Sequence, residues 1–189
     1  MTDETIRLSD PDIAAIARRI DRPVVLVGLM GVGKSTVGRK LAHLLDRQFA
    51  DADEEIEKAA QRSIAEIFED FGEAYFRDGE RRVIARLMEE RVGVIATGGG
   101  AFVNDETRSL ILENGIAVWI DCDVDTLVER TGRRKTRPLL NRGDPRTILT
   151  ELSEDRRPFY AQAQIRVESR EGPHVDTAIS ILEAIDAWL

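Results

Sequence analysis

The 189 residues predict an α/β protein, a parallel sheet with helices on both faces. Three observations carry that prediction. Short apolar runs rich in β-branched residues recur along the chain. Stretches of helical length separate them. The residues with chemistry to offer, Gly28, Asp51, Gly98 to Gly100 and Asp121, stand where those runs end. Right-handed crossovers bring the carboxyl ends of such strands to one edge, where α/β proteins bind ligands.

The elements follow in order. "SDPDIAAIARRI" (9–20) reads as a short amphipathic helix, with Asp10 as N-cap and Pro11 at the first helical position. "PVVLVG" (23–28) is a continuous apolar run suited to a strand covered on both faces. A helix follows from about 34 to 45, then a short strand "RQFAD" ending at Asp51. Residues 53–90 read as helical, with a capping box at Ser63 and Glu66, and Gly79 interrupts that helix. The remaining strands are "VGVIAT" (92–97), "IAVWID" (116–121) and "IRVE" (165–168), with helices at about 105–113, 123–131, 146–161 and the closing "VDTAISILEAIDAWL".

Composition bounds what such a chain does. With 42% hydrophobic and 33% charged residues it suits a soluble fold with a buried core. We divide it into an N-terminal helical extension, 1–22, and a single domain, 23–189. A formal charge of −8 argues against a general nucleic-acid binder, which needs a basic face. The single cysteine, Cys122, excludes an internal disulfide, fits a reducing cytoplasm and reads as a small buried residue. "MTDETIRLSD" has no apolar core of a signal peptide, and no run reaches the roughly 20 apolar residues of a membrane span.

"GLMGVGKS" (28–35) fits G-x-x-x-x-G-K-[ST] directly after a strand and opening a helix, the context this phosphate-binding motif requires. Its glycines let backbone N–H groups curl around an anion, and the helix dipole adds to that field. Lys34 is placed to reach the β- and γ-phosphates of a nucleotide, and the Ser35 hydroxyl to coordinate Mg²⁺. The motif does not say what accepts the phosphoryl group. "VGVIATGGGAFVND" (92–105) bears on that, because its strand ends in three glycines where nucleotide-binding proteins often carry a magnesium-facing acid. "FADADEEIE" (49–57) supplies acids at the same edge. Asp51 and Asp53, two residues apart, are able to face one side of an extended segment, one toward a metal and one toward a hydroxyl. Alternatively Asp53 caps the helix after it. Gly98, Gly99 and Gly100 let a second ligand lie against bare backbone. Arg77 in "EAYFRDGE" and Arg156 in "EDRRPFY" offer the bidentate fork that a carboxylate needs.

Taken together the residues resemble the shikimate kinase family. The phosphate loop, "DAD" with Asp53, "FR" with Arg77, "GGG" at 98–100, "RPLL" at 137–140 and R-x-P-x-Y at 156–160 occur in the order and rough spacing of that family, over residues 23 to about 170. The resemblance implies a three-layer P-loop fold with a five-stranded parallel sheet, similar to nucleoside-monophosphate kinases. Substrate-binding helices would lie at about 53–90 and a mobile lid at about 131–145. It also implies transfer of the γ-phosphoryl of ATP, with Mg²⁺, to the 3-hydroxyl of shikimate, by a cytoplasmic monomer on the route to chorismate and the aromatic amino acids. By matching position, nucleotide binding falls on Gly31, Val32, Gly33, Lys34, Ser35, Thr36, Arg130 and Arg137, with Arg130 near the adenine. The metal falls on Ser35 and Asp51. Shikimate falls on Asp53, Phe76, Arg77, Glu80, the glycines 98–100 and Arg156. Catalysis falls on Lys34, Asp53 and Arg137, the last neutralising charge in the transition state. Asp53 is either the base or an orienting acceptor.

Residues 130–146 hold seven Lys and Arg against one acid, Asp144, and read as the lid that excludes water. Arg133, Arg134 and Lys135 match no role, and His43 and His174 have no partner at metal-ligand spacing. Two other readings stand beside the kinase of shikimate. One is a gluconate or nucleoside-monophosphate kinase on the same fold, against which Arg77, Arg156 and Asp53 argue. The other is a nucleotide-dependent regulatory protein that uses shikimate as a signal.

Overall fold

The computed structural model describes residues 8–133 and 143–189. In chain order the elements are α1 (Asp10–Arg19), β1 (Val24–Val27), α2 (Lys34–Leu44), β2 (Phe49–Asp51), α3 (Ala52–Ala60), α4 (Ile64–Glu89), β3 (Val94–Ala96), α5 (Asp105–Asn114), β4 (Ile116–Asp121), α6 (Val124–Gly132), α7 (Pro145–Tyr160), β5 (Ile165–Glu168) and α8 (His174–Trp188). A 3-10 turn, Ala101–Val103, lies between β3 and α5.

The sheet is five-stranded and parallel, in the order β2-β3-β1-β4-β5. Val24 of β1 pairs with Val94 of β3 on one side and Ile116 of β4 on the other. Every side chain of β1, β3 and β4 is buried, as continuous apolar runs require of strands covered on both faces. α2 and α8 pack together with α1 beside α8, while α4 packs on α5 and α6 on α7. The central consequence is that β3 enters between β1 and β2. The glycines after β3 therefore stand between the phosphate loop after β1 and the acids after β2.

At the N-terminus the helix begins one residue earlier than the sequence suggests. Ser9, not Asp10, is the N-cap, because Ser9 and Asp12 form a reciprocal capping box that puts Asp10 at the first helical position. Ile13, Ile16 and Ile20 of this segment enter the main core, and the Arg47 guanidinium donates to the Ala17 and Ile20 carbonyls at its end. Cys122 is buried, and burial pushes its thiol up to about 11. At pH 8 the native protein is expected to react with a disulfide reagent roughly 200-fold more slowly than the denaturant-unfolded chain, from the thiolate fractions at the two pKa values. Equal rates in a stopped-flow assay would show that the thiol is open.

The helical stretch expected at 53–90 is three pieces. Gln61, at φ 52°, ends α3, and the Ser63–Glu66 capping box starts α4. Within α4, Gly72 leaves helical geometry at φ 82° and ψ 176°, a region open almost only to glycine. A β-carbon at Gly72 would meet nothing within 4 Å, so the cost of Gly72→Ala is backbone strain alone. We expect a loss of about 1–3 kcal/mol, read as a Tm fall of roughly 2–4 °C per kcal/mol. A variant with unchanged Tm would mean that α4 straightens without penalty. Gly79 stays helical, and space around it is likewise open, so close packing does not account for it.

Candidate active site

The phosphate loop joins β1 to α2. Gly28 leaves the strand at φ 141°, and a β-carbon there would lie 2.6 Å from the Ile120 carbonyl oxygen of β4, so only glycine fits. Gly33, in the left-handed region, is the N-cap of α2 and carries no side-chain cap. Its place at the helix start leaves the first N–H groups of α2 directed at the loop, the arrangement that binds phosphate. Lys34 is buried, and its amine donates to the Gly28 and Leu29 carbonyls at 2.6 and 2.8 Å. Those bonds hold the charge across the mouth of the loop.

Ser35, the second residue of α2, donates its hydroxyl proton to Asp51 Oδ2. Asp51 is the last residue of β2 and also the N-cap of α3, with Oδ1 accepting from the Asp53 N–H at 3.0 Å. The capping role considered for Asp53 thus belongs to Asp51, and the Asp53 carboxylate is left to face the crevice. Burial raises the pKa of Asp53, the Asp51 charge adds to the rise, and Lys34 opposes it. A carboxylate raised in this way is a better proton acceptor near neutral pH.

Each glycine after β3 makes room for at least one side chain of this site. A β-carbon on Gly98 would lie 2.9 Å from Asp53 Oδ1 and 3.3 Å from Glu80 Oε1. On Gly99 it would lie 3.1 Å from Arg156 Nη1 and 3.5 Å from the Met30 amide of the phosphate loop. On Gly100 it would overlap the Arg77 guanidinium. Arg77 and Arg156, 79 positions apart in sequence, meet over one short stretch of bare backbone. Thr97 anchors that stretch, its hydroxyl donating to the Leu26 carbonyl at 2.9 Å.

Glu80 is fully buried and accepts from Arg77 Nη1 at 2.7 Å through Oε2. Burial raises its pKa and the Arg77 charge lowers it. Oε1 of Glu80 has no hydrogen-bond partner among the described residues. Phe76 is buried with Ile56 and Ile67, and Arg77 lies over its ring at 5.1 Å, so the phenyl group supports the arginine from below.

A crevice of about 830 Å³ is lined by Gly31, Gly33 to Thr36, Asp51, Asp53 and Gly98–Gly99, continuing past Thr126 and Arg130 to Gly172 and His174. At that far end Arg130 donates to the Val32 carbonyl of the loop (3.3 Å), the Ser169 hydroxyl (3.1 Å) and the Arg170 carbonyl (3.1 Å). It ties the phosphate loop to the segment after β5. Val32 itself is buried behind the loop. His174, to which no role fell from the sequence, starts α8 against Gly33 and lines the crevice. Tyr160 was likewise missed, although the R-x-P-x-Y spacing contains it; its hydroxyl donates to the Gly99 carbonyl. Arg137, with Arg134, Lys135 and most of the expected lid, lies outside the described residues.

A phosphate-binding loop on a five-stranded parallel sheet, an adjacent pair of acids and a second pocket built from glycines and arginines define a small-molecule kinase of the P-loop class. The shikimate kinase family model matches residues 30–186. A shikimate kinase of Novosphingobium aromaticivorans is 61% identical with full coverage of both chains. One of Caulobacter vibrioides is 56% identical over 87% of this chain and 82% of its own. Among solved structures, shikimate kinase from Acinetobacter baumannii in complex with shikimate aligns at TM-score 0.83 and 40% identity, over 88% of this chain and 93% of that one. A gluconokinase from Sinorhizobium meliloti, at 18% identity and TM-score 0.54, shares the fold alone. The chain belongs to the shikimate kinase family.

Proposed function

We propose that this chain transfers the γ-phosphoryl group of ATP to the 3-hydroxyl of shikimate, a step toward chorismate and the aromatic amino acids. The observation that carries the reading is the meeting of Asp53, Arg77 and Arg156 over Gly98, Gly99 and Gly100, one strand away from the phosphate loop. A ring bearing hydroxyls and a single carboxylate suits that pocket. The two guanidiniums take the carboxylate, while Asp53 and Glu80 Oε1, which has no partner among the described residues, take hydroxyl donors.

Gly31 to Thr36 bind the phosphates of the nucleotide through backbone N–H groups, and Lys34 places positive charge at the γ-phosphoryl. Ser35 and Asp51 present neighbouring oxygen donors, which fit a hard divalent cation that keeps most of its waters. Held by Ser35 and Asp51, Mg²⁺ would neutralise charge on the nucleotide phosphates. Asp53 accepts the proton of the attacking hydroxyl as the bond to phosphorus forms and the bond to the leaving ADP oxygen breaks. Arg130 borders the adenine end, and Arg137 of the basic segment neutralises charge on the transferring group. The chain acts as a monomer in this reading, as the family resemblance implies. Among the described residues no helix is long and apolar enough to cross a membrane.

The test is ADP release from MgATP with and without shikimate. Strong stimulation by shikimate, and none by gluconate or a nucleoside monophosphate, is the expected result. Nucleotide binding without shikimate-stimulated turnover would leave the phosphate loop as the only assignment standing.

A further inference from the structure

Tyr160 is the last residue of α7, four positions after Arg156, and its ring is almost wholly buried at 2% exposure. Its hydroxyl donates to the Gly99 carbonyl oxygen at 2.5 Å. The ring lies against Trp119 of β4, with centroids 6.0 Å apart. The guanidiniums of Arg157 and Arg166 lie over Trp119 at 5.3 and 5.0 Å, and both arginines pair with Asp121. The phenol is thus braced from the sheet and reaches out to one backbone atom of the glycine turn.

That atom sits at a sensitive point. The peptide from Gly99 to Gly100 is planar and trans, so fixing its carbonyl oxygen fixes the opposite direction of the Gly100 N–H. The space beside Gly99 is occupied by Arg156 Nη1 and the space beside Gly100 by Arg77. Burial raises the pKa of the phenol while the charges of Arg156 and Arg77 lower it, and the group keeps its proton at neutral pH.

We propose that Tyr160 is a positioning residue of the acceptor pocket: by bonding the Gly99 carbonyl beside Arg156 it sets the glycine turn and that guanidinium in the arrangement that takes the acceptor's carboxylate. The inference rests on the acceptor assignment made above. It gives the tyrosine a duty in ground-state recognition of the acceptor, with no contact to the reacting atoms.

Tyr160→Phe keeps the ring and its packing and removes only the hydroxyl. One neutral hydrogen bond is worth roughly 5- to 10-fold in an equilibrium, so KM and calorimetric Kd for shikimate are expected to rise by about that factor. The KM for MgATP is expected to stay unchanged. A tyrosine that merely fills the core would lower Tm and leave both constants alone, or weaken both together. The double variant Arg156→Ala/Tyr160→Phe separates the cases further. If Tyr160 acts through Arg156, the double variant binds shikimate as weakly as Arg156→Ala alone; independent action gives additive losses. An unchanged shikimate constant in Tyr160→Phe, or additivity, overturns this inference and leaves the kinase reading intact. Failure of the unmodified enzyme to bind shikimate overturns both.

Discussion

Asp53→Asn is expected to lower kcat by about 10²- to 10⁴-fold, the usual contribution of a positioned proton acceptor, with little change in the affinity for MgATP. The asparagine keeps the shape and a hydrogen-bonding oxygen but cannot take the proton of the attacking hydroxyl. The neighbourhood explains why the native group is suited to the task. Asp53 is partly buried and close to Asp51, both of which raise its pKa, while Lys34 opposes the rise. Asp53→Ala removes orientation as well as basicity, so comparing the two variants assigns the role. If both lose kcat alike, Asp53 is the base. If asparagine retains nearly full kcat and alanine does not, it orients the hydroxyl, and the proton leaves by another route. Single-turnover measurements at saturating shikimate make the comparison independent of binding.

Gly100→Ala is expected to raise the KM for shikimate by roughly 10- to 100-fold, equivalent to losing one charge-assisted contact of about 1.5–3 kcal/mol. Gly100 lies at φ −94° and ψ −9°, which alanine adopts readily, so the backbone does not object. The new methyl group instead claims the position of the Arg77 guanidinium. That group is the mobile end of a long side chain and moves aside without unfolding the protein. Activity toward shikimate should therefore fall while Tm and the KM for ATP hold. A variant with an unchanged KM for shikimate would separate Arg77 from carboxylate binding.

Much of this site was legible before any fold was known, for identifiable reasons. The phosphate loop depends on local backbone conformation, so its glycines, Lys34 and Ser35 declare it in eight residues. Asp51 and Asp53 were visible as a pair, and the resemblance divided metal and acceptor between them, but which of them caps α3 was not, because that depends on where β2 stops. The break at Gln61 was hidden by ordinary helix-forming neighbours, even though the Ser63–Glu66 box that follows it was plain. Of two glycines in the long helical stretch, Gly79 drew notice and Gly72 carries the kink, since a glycine leaves the local pattern ambiguous and the tertiary fold decides. Tyr160 and Gly99 are 61 residues apart, and no local spacing connects a phenol to a carbonyl at that range.

The insertion of β3 between β1 and β2 makes the sheet itself a measuring device. Neighbouring strands run about 4.8 Å apart, so the phosphate loop and the glycine turn start one strand spacing from each other, and Asp51 starts one further. The gap that the phosphoryl group must cross is dimensioned by ladder hydrogen bonds and by Thr97 reaching over to the Leu26 carbonyl. The longer side chains that hold the acceptor, whose rotamers jump in steps of an ångström or more, adjust its pose on that frame without moving the frame. Acceptor preference can consequently be rewritten in the helices above the turn while the span from donor to acceptor stays as the backbone made it.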